Sequence, residues 1–190
     1  MLRRIPLAAI LLALLCAGAS ARPSDSGGGQ LDHGSVGADG GVAIPLGNLS
    51  DDFEPGPVAT IFVRMKYWEG IDFVLLAGYQ RDRISGSDLF LHHATGSAGL
   101  LFPLPFPGGR NPARLGGGIA FFFVRASEPV GGLLLDDNES DFGHWFRLET
   151  PALRWRTMGF RLYAQQQTAW TLKKASHFAA FGASAEAALW

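Results

Sequence analysis

Stretches of about ten residues in which bulky apolar side chains alternate with small or polar ones recur to the end of this chain, and few folds can use that pattern. Successive side chains of a strand point to opposite sides of the pleated backbone, so a period of two means a strand with two unlike faces. Around 57–67, Ala59, Ile61, Val63, Met65 and Tyr67 share one face, and Thr60, Phe62, Arg64, Lys66 and Trp68 the other. At 157–167, Met158, Phe160, Leu162 and Ala164 oppose Gly159, Arg161, Tyr163 and Gln165. Within 113–125, Leu115, Ile119, Phe121 and Phe123 oppose Gly116, Gly118, Ala120 and Phe122. No stretch has convincing helical periodicity. The fold class predicted is therefore all-β, an antiparallel up-and-down barrel of eight strands near 40–47, 57–67, 71–81, 89–102, 113–125, 143–155, 157–167 and 176–189.

Strand length says what surrounds such a barrel. Most of these segments exceed the ~5–6 residues usual in soluble sheets and approach the ~9–11 that a tilted strand needs to cross hydrocarbon. The links also alternate in character. Those after the first, third, fifth and seventh strands are mostly long or polar, whereas those after the second (WEGI) and sixth (near Arg156) are tight. Outer-membrane barrels have short periplasmic turns and longer external loops, and only the Pro-rich PLPFPGGRNP link departs from that scheme.

Alternation by itself leaves open which face points inward. A soluble barrel buries its apolar face, and a membrane barrel shows that face to lipid. Small residues opposite large ones suit a narrow lumen. Tyr67, Trp68, Tyr79, Trp145, Trp155 and Trp190 lie near strand ends, as the interfacial girdles of membrane barrels do, although aromatics favour strands in general. With the apolar face outward, Arg64, Lys66, Arg147, Glu149, Arg154, Arg161 and Glu186 all point into the lumen. Charges so confined must pair and hydrogen-bond, which predicts a salt-bridge network in a lumen too narrow for an open pore. The sixth strand changes parity between Phe146 and Leu148 on one side and Leu153 and Trp155 on the other. A bulge at Pro151 would restore the facing of both halves.

The ends of the chain are of another kind. Residues 1–21 read as a secretory signal, with Arg3 and Arg4, an apolar run from Leu7 to Leu15 too short to span a bilayer, and Ala19-Ser20-Ala21 as cleavage site. Cys16 raises a lipoprotein alternative, which Leu15 before it disfavours. Cleavage would remove the only cysteine together with two basic residues and no acidic one, so the formal charge of −1 becomes more negative. A mildly acidic chain without a basic cluster argues against nucleic acid as a partner. Residues 22–39, rich in Gly, Ser and Asp, are expected to be a flexible lead-in, with the barrel domain at 40–190.

From GGVAIPLGNLSDDFEPG through VLLAGYQRD to the Pro-rich turn and ARLGGGIAFFF, the chain resembles the small eight-stranded outer-membrane β-barrels, the OmpA-like and opacity-porin-like group. The resemblance runs from about Gly40 to the end. It implies a monomer in the outer membrane, with membrane lipid and the barrel-assembly machinery as partners and external loops that carry any surface interaction. Members end on an aromatic that aids assembly, and this chain ends at Trp190, though on the parity of Glu186 and not of the apolar Phe181, Ala183, Ala185, Ala187 and Leu189.

Chemistry is not prominent in these residues, and no enzyme, cofactor or metal site is expected. Adjacent His92 and His93 point to opposite faces, a poor start for a metal site. His33 lies in the lead-in, and His144 and His177 at strand starts. Some membrane barrels modify lipid A with a histidine and a serine placed together, and only Ser176-His177 and Ser97 near His93 approximate this. The GGG at 116–118 precedes strand residues and no helix, so it is no phosphate loop. Asp136 to Asp141 lacks the pattern of a helix-loop-helix calcium loop. The rival reading is a soluble exported barrel that binds a small apolar ligand against Ile61, Val63, Phe121, Phe123 and Leu162.

Overall fold

The alternating segments form eight long antiparallel strands in a computed structural model that describes residues 34–47, 49–68, 70–104, 112–126, 139–170 and 175–189. They are β1 (Gly34–Leu46), β2 (Gly56–Trp68), β3 (Ile71–Ile84), β4 (Phe90–Pro103), β5 (Arg114–Ala126), β6 (Glu139–Glu149), β7 (Met158–Trp170) and β8 (Ala175–Ala188). Each strand pairs with its neighbours in the chain, and β8 also pairs with β1 from Ser35↔Ala188 to Leu46↔His177. Closure gives every strand a partner on both sides and leaves no edge, which is what a β-structure in hydrocarbon requires.

Gly34 and Leu189, where the described wall begins and ends, share one end of the barrel with the two tight turns. Gly70 takes a φ of 92° in the β2–β3 turn, a left-handed conformation that glycine adopts without penalty. Arg156 takes a φ of 56° in the turn before β7 without that freedom. At the opposite end, a single helical turn (Leu49–Asp52) and a two-residue strand (Phe53–Glu54) dock the first loop on β3, with Phe53 opposite Ile84 and the Ser85 amide donating to Asp52 O at 2.8 Å.

Facing is unambiguous. Ile119 is 69% exposed, Leu162 62% and Ile61 41%, whereas Arg64, Asp72, Arg147, Glu149 and Arg161 are buried. The bulky apolar face is thus the exterior. The lining proposed for a soluble ligand-binding barrel lies on the wrong side: Ile61, Phe123 and Leu162 are exposed, and Val63 and Phe121 share their parity.

Several expectations need correction. β1 begins at Gly34, so Gly34–Asp39, assigned to the lead-in, belong to the barrel wall. Ser35, Gly37 and Asp39 are small or polar because they face the lumen, and that composition imitates a linker. The first 33 residues, with the expected signal segment and Cys16, lie outside the described residues, as does Trp190.

The sixth strand ends at Glu149, and Leu153–Trp155 is a separate short strand on β7. Glu149 pairs with Tyr163 and Leu153 with Phe160, so the β6 side carries one residue more than its partner, as a bulge near Pro151 requires. A second irregularity lies between Lys66 and Trp68. It pairs Trp68 with Ile71 and turns the indole to the exterior, away from the face of Thr60 and Phe62. Trp145 is the opposite case: only 1% exposed, it fills the lumen and belongs to no girdle. The rims carry Tyr67, Trp68 and Trp155 at the termini end and Phe123, Phe142 and Trp170 at the loop end, all exposed. Tyr79, also exposed, stands one outward position below Arg81 on β3.

Candidate functional site

Every second residue of each strand must occupy a lumen only wide enough for side chains, so its chemistry follows from strand parity and height. The middle of the lumen is apolar, with Phe62, Val74, Leu76, Leu101, Ala120, Phe122, Trp145 and Ala169 in one buried cluster. Glycines make room for these rings. A Cβ on Gly99 would stand 2.5 Å from Trp145 Cζ2 and closer still to Gly117 O.

Toward the termini end, the described lumen residues include four guanidinium groups and four carboxylates. Arg64 donates from Nη2 to both oxygens of Glu149, at 2.8 and 2.9 Å, and lies 3.1 Å from Glu186 through Nη1. Arg147 donates from Nε to Glu149 at 2.8 Å and grips Asp39 with both terminal nitrogens, at 2.7 and 3.0 Å. Arg161 reaches Glu186 at 3.4 Å and donates to the carbonyls of Thr150 and Pro112, at 3.0 and 3.2 Å. Arg114 pairs with Asp72, which also lies 3.9 Å from Arg64. Gln165 and the Tyr163 ring complete the surroundings of Arg147, at 3.1 and 4.1 Å. Bidentate and shared contacts of this kind offset the cost of removing eight charges from water.

Of the residues expected in this network, Arg64, Arg147, Glu149, Arg161 and Glu186 come together. Lys66 and Arg154 do not. Both are exposed at the termini-end rim, Lys66 where β2 becomes irregular and Arg154 beyond the bulge in the short strand. There water solvates a charge at no cost. Asp39, Asp72 and Arg114 were missed. Asp39 fell in the supposed lead-in, whereas Asp72 and Arg114 are the second residues of the expected strands 71–81 and 113–125 and were not followed to the lumen face. Parity was the available signal, since Arg114 shares a face with Gly116 and Gly118, and Asp72 opposes Phe73 and Leu75.

Toward the loop end a smaller polar group lies inside. Asp82 accepts from Gln80 at 2.7 Å and lies 3.1 Å from His93 Nε2, and the His93 ring stacks edge-on against Phe178 at 5.3 Å. His177 faces outward, its Nδ1 3.0 Å from the Thr168 hydroxyl. Neither imidazole is hydrogen-bonded to a serine among the described residues. No cluster of three or more His, Cys, Asp or Glu with metal-site geometry occurs among them either. Asp136, Asp137 and Asn138 lie outside the described residues.

A closed up-and-down barrel of eight strands, apolar outside and ion-paired inside, has the architecture of the small outer-membrane barrels. No family model and no characterised sequence matches the chain. Solved structures do. Neisserial surface protein A aligns at a TM-score of 0.58 and 13% identity, over 81% of this chain and 96% of that one. The attachment invasion locus protein Ail of Yersinia pestis aligns at 0.50 and 9%, over 81% and 97%. The outer membrane protein AlkL, determined in lipid bilayers, aligns at 0.52 and 11%, over 89% and 95%. At these identities the likeness is one of fold.

Proposed function

We propose that this chain is an integral outer-membrane protein, exported through the periplasm, inserted by the barrel-assembly machinery and monomeric in lipid. Its wall is structural, its external loops carry a surface interaction, and its lumen is plugged by the ionic network below and the ring cluster above. The observation that carries this reading is the division of the side chains: exposed Ile61, Ile119 and Leu162 outside, and Arg64, Arg147 and Arg161 matched to carboxylates inside. A water-soluble barrel would pay for the exposed apolar exterior with aggregation. No catalytic step is assigned: neither His93, beside Asp82, nor His177, beside Thr168, is hydrogen-bonded to a serine among the described residues.

Detergent fractionation with a heat-modifiability gel tests the membrane reading. The expected outcome is a membrane-fraction band whose mobility shifts on boiling, and solubility without detergent would overturn it. Planar-bilayer recording tests the plug. The purified barrel is expected to pass no steady current, and a stable ohmic conductance would refute a closed lumen.

A further inference from the structure

At the loop end, one outward row of the sheet carries two arginines with a histidine between them. Arg81 of β3 is directly opposite His92 of β4, and His92 is directly opposite Arg125 of β5. All three occupy outward positions close to the loop-end limits of their strands, which lie at Ile84, Phe90 and Ala126. Arg81 and Arg125 are exposed and His92 is half-buried. The two guanidinium groups flank one imidazole, and their mutual repulsion calls for an anion between them.

The chain meets that requirement elsewhere with its own carboxylates. Arg83, the next outward residue of β3, is paired with Asp88 at 2.7 Å and donates to Ser87 O at 2.8 Å. Each lumen arginine has a carboxylate. Among the described residues, Arg81 and Arg125 form no ion pair. The row is nonetheless held in place. The Arg81 guanidinium lies 3.6 Å over the Phe90 ring, and the Tyr79 hydroxyl is 2.5 Å from His92 Nδ1.

Height selects the occupant. Phe123, the next outward residue below Arg125 on β5, together with Phe142 and Trp170, forms the exposed aromatic rim of this end, and such rims sit at headgroup level. We infer that Arg81, His92 and Arg125 bind the phosphate of an outer-leaflet lipid headgroup, with the two guanidinium groups as paired donors and the imidazole between them. This inference rests on the membrane reading above.

The test uses the full chain in detergent micelles and in nanodiscs, with bisphosphorylated lipid A as the probe and its dephosphorylated form as the comparison. Wild type is expected to retain the phosphorylated lipid through purification and to prefer it over the dephosphorylated one. Arg81→Gln/Arg125→Gln should weaken binding by at least about tenfold, as the loss of two interfacial cations implies. Arg81→Lys/Arg125→Lys should keep most of it, and Lys66→Gln at the opposite rim should change nothing.

Equal binding of both lipids, or unaltered binding by the Gln double variant, overturns the inference. Displacement by millimolar inorganic phosphate alone also overturns it, because a free-anion site is then sufficient. The heat-shifted band of the same samples separates the two levels. A barrel that inserts but ignores the phosphate sinks only this inference, and one that never inserts sinks the membrane reading with it.

Discussion

Glu149→Gln is the sharpest probe of the lumen. Glu149 is 1% exposed and accepts from Arg64 at 2.8 and 2.9 Å and from Arg147 at 2.8 Å, with Arg161 at 3.8 Å. Glutamine keeps the shape and one acceptor oxygen but removes the charge, so four arginines then face three carboxylates. Two charges ~4 Å apart interact by about 4 kcal/mol at an effective dielectric of ~20. Glu149 faces more than one such partner, while the neutral amide recovers part of the desolvation cost. Removing one member of a buried ion pair is known to cost about 3–5 kcal/mol, and the same range is expected here.

Urea unfolding of the lipid-reconstituted barrel, followed by tryptophan emission and by the heat-shifted gel band, gives the assay. Glu54→Gln is the control, because its half-exposed carboxylate lies 4.0 Å from Arg83, a surface pair worth less than about 1 kcal/mol. Pairing Glu149→Gln with Arg64→Met should recover part of the loss, since the unmatched charge then disappears. A Glu149→Gln barrel within about 1 kcal/mol of wild type would refute the reasoning, because it would mean that water screens these charges.

Three further outcomes follow from the same geometry. Ile119→Arg places a cation on the exterior near the middle of β5 and should destabilise the lipid-embedded barrel by ~2–4 kcal/mol, whereas a soluble barrel would tolerate it at an exposed position; urea titration in vesicles reads the difference. Gly99→Val drives a side chain into Trp145 and the Gly117 backbone, and is expected to cost ~1–3 kcal/mol and shift the buried-indole emission to longer wavelength. Replacing Arg147 and Glu149 together by Ala removes the centre of the ionic layer but leaves the ring cluster, so planar-bilayer current should stay at the wild-type level, and a stable conductance would show that the rings do not close the lumen.

Much of this molecule was legible before any coordinates. Strand number, strand length and the division into two faces follow from alternation, because the pleat fixes side-chain direction residue by residue. Five lumen charges were identifiable in the same way. Where the reading failed, a single extra residue or a strand end was responsible. Tyr67 lies where β2 and β3 lose register and so turns Trp68 outward, and the bulge after Glu149 leaves Arg154 beyond the lumen. A period of two carries no warning of where it slips.

Trp145 shows the converse limit. Its position near a strand start suggested an interface, but its parity with Arg147 and Glu149 put it inside, against the space left by Gly99. The sequence by itself determined that the clearly alternating strands would set a bulky apolar face against a mostly polar or small one, since that property is local to the backbone. Only tertiary structure decided which carboxylate meets which guanidinium, as with Asp39 of β1 and Arg147 of β6, because such contacts depend on how far closure displaces the first strand against the last. Register across a closing seam is a property of the whole ring, and no segment of the chain encodes it alone.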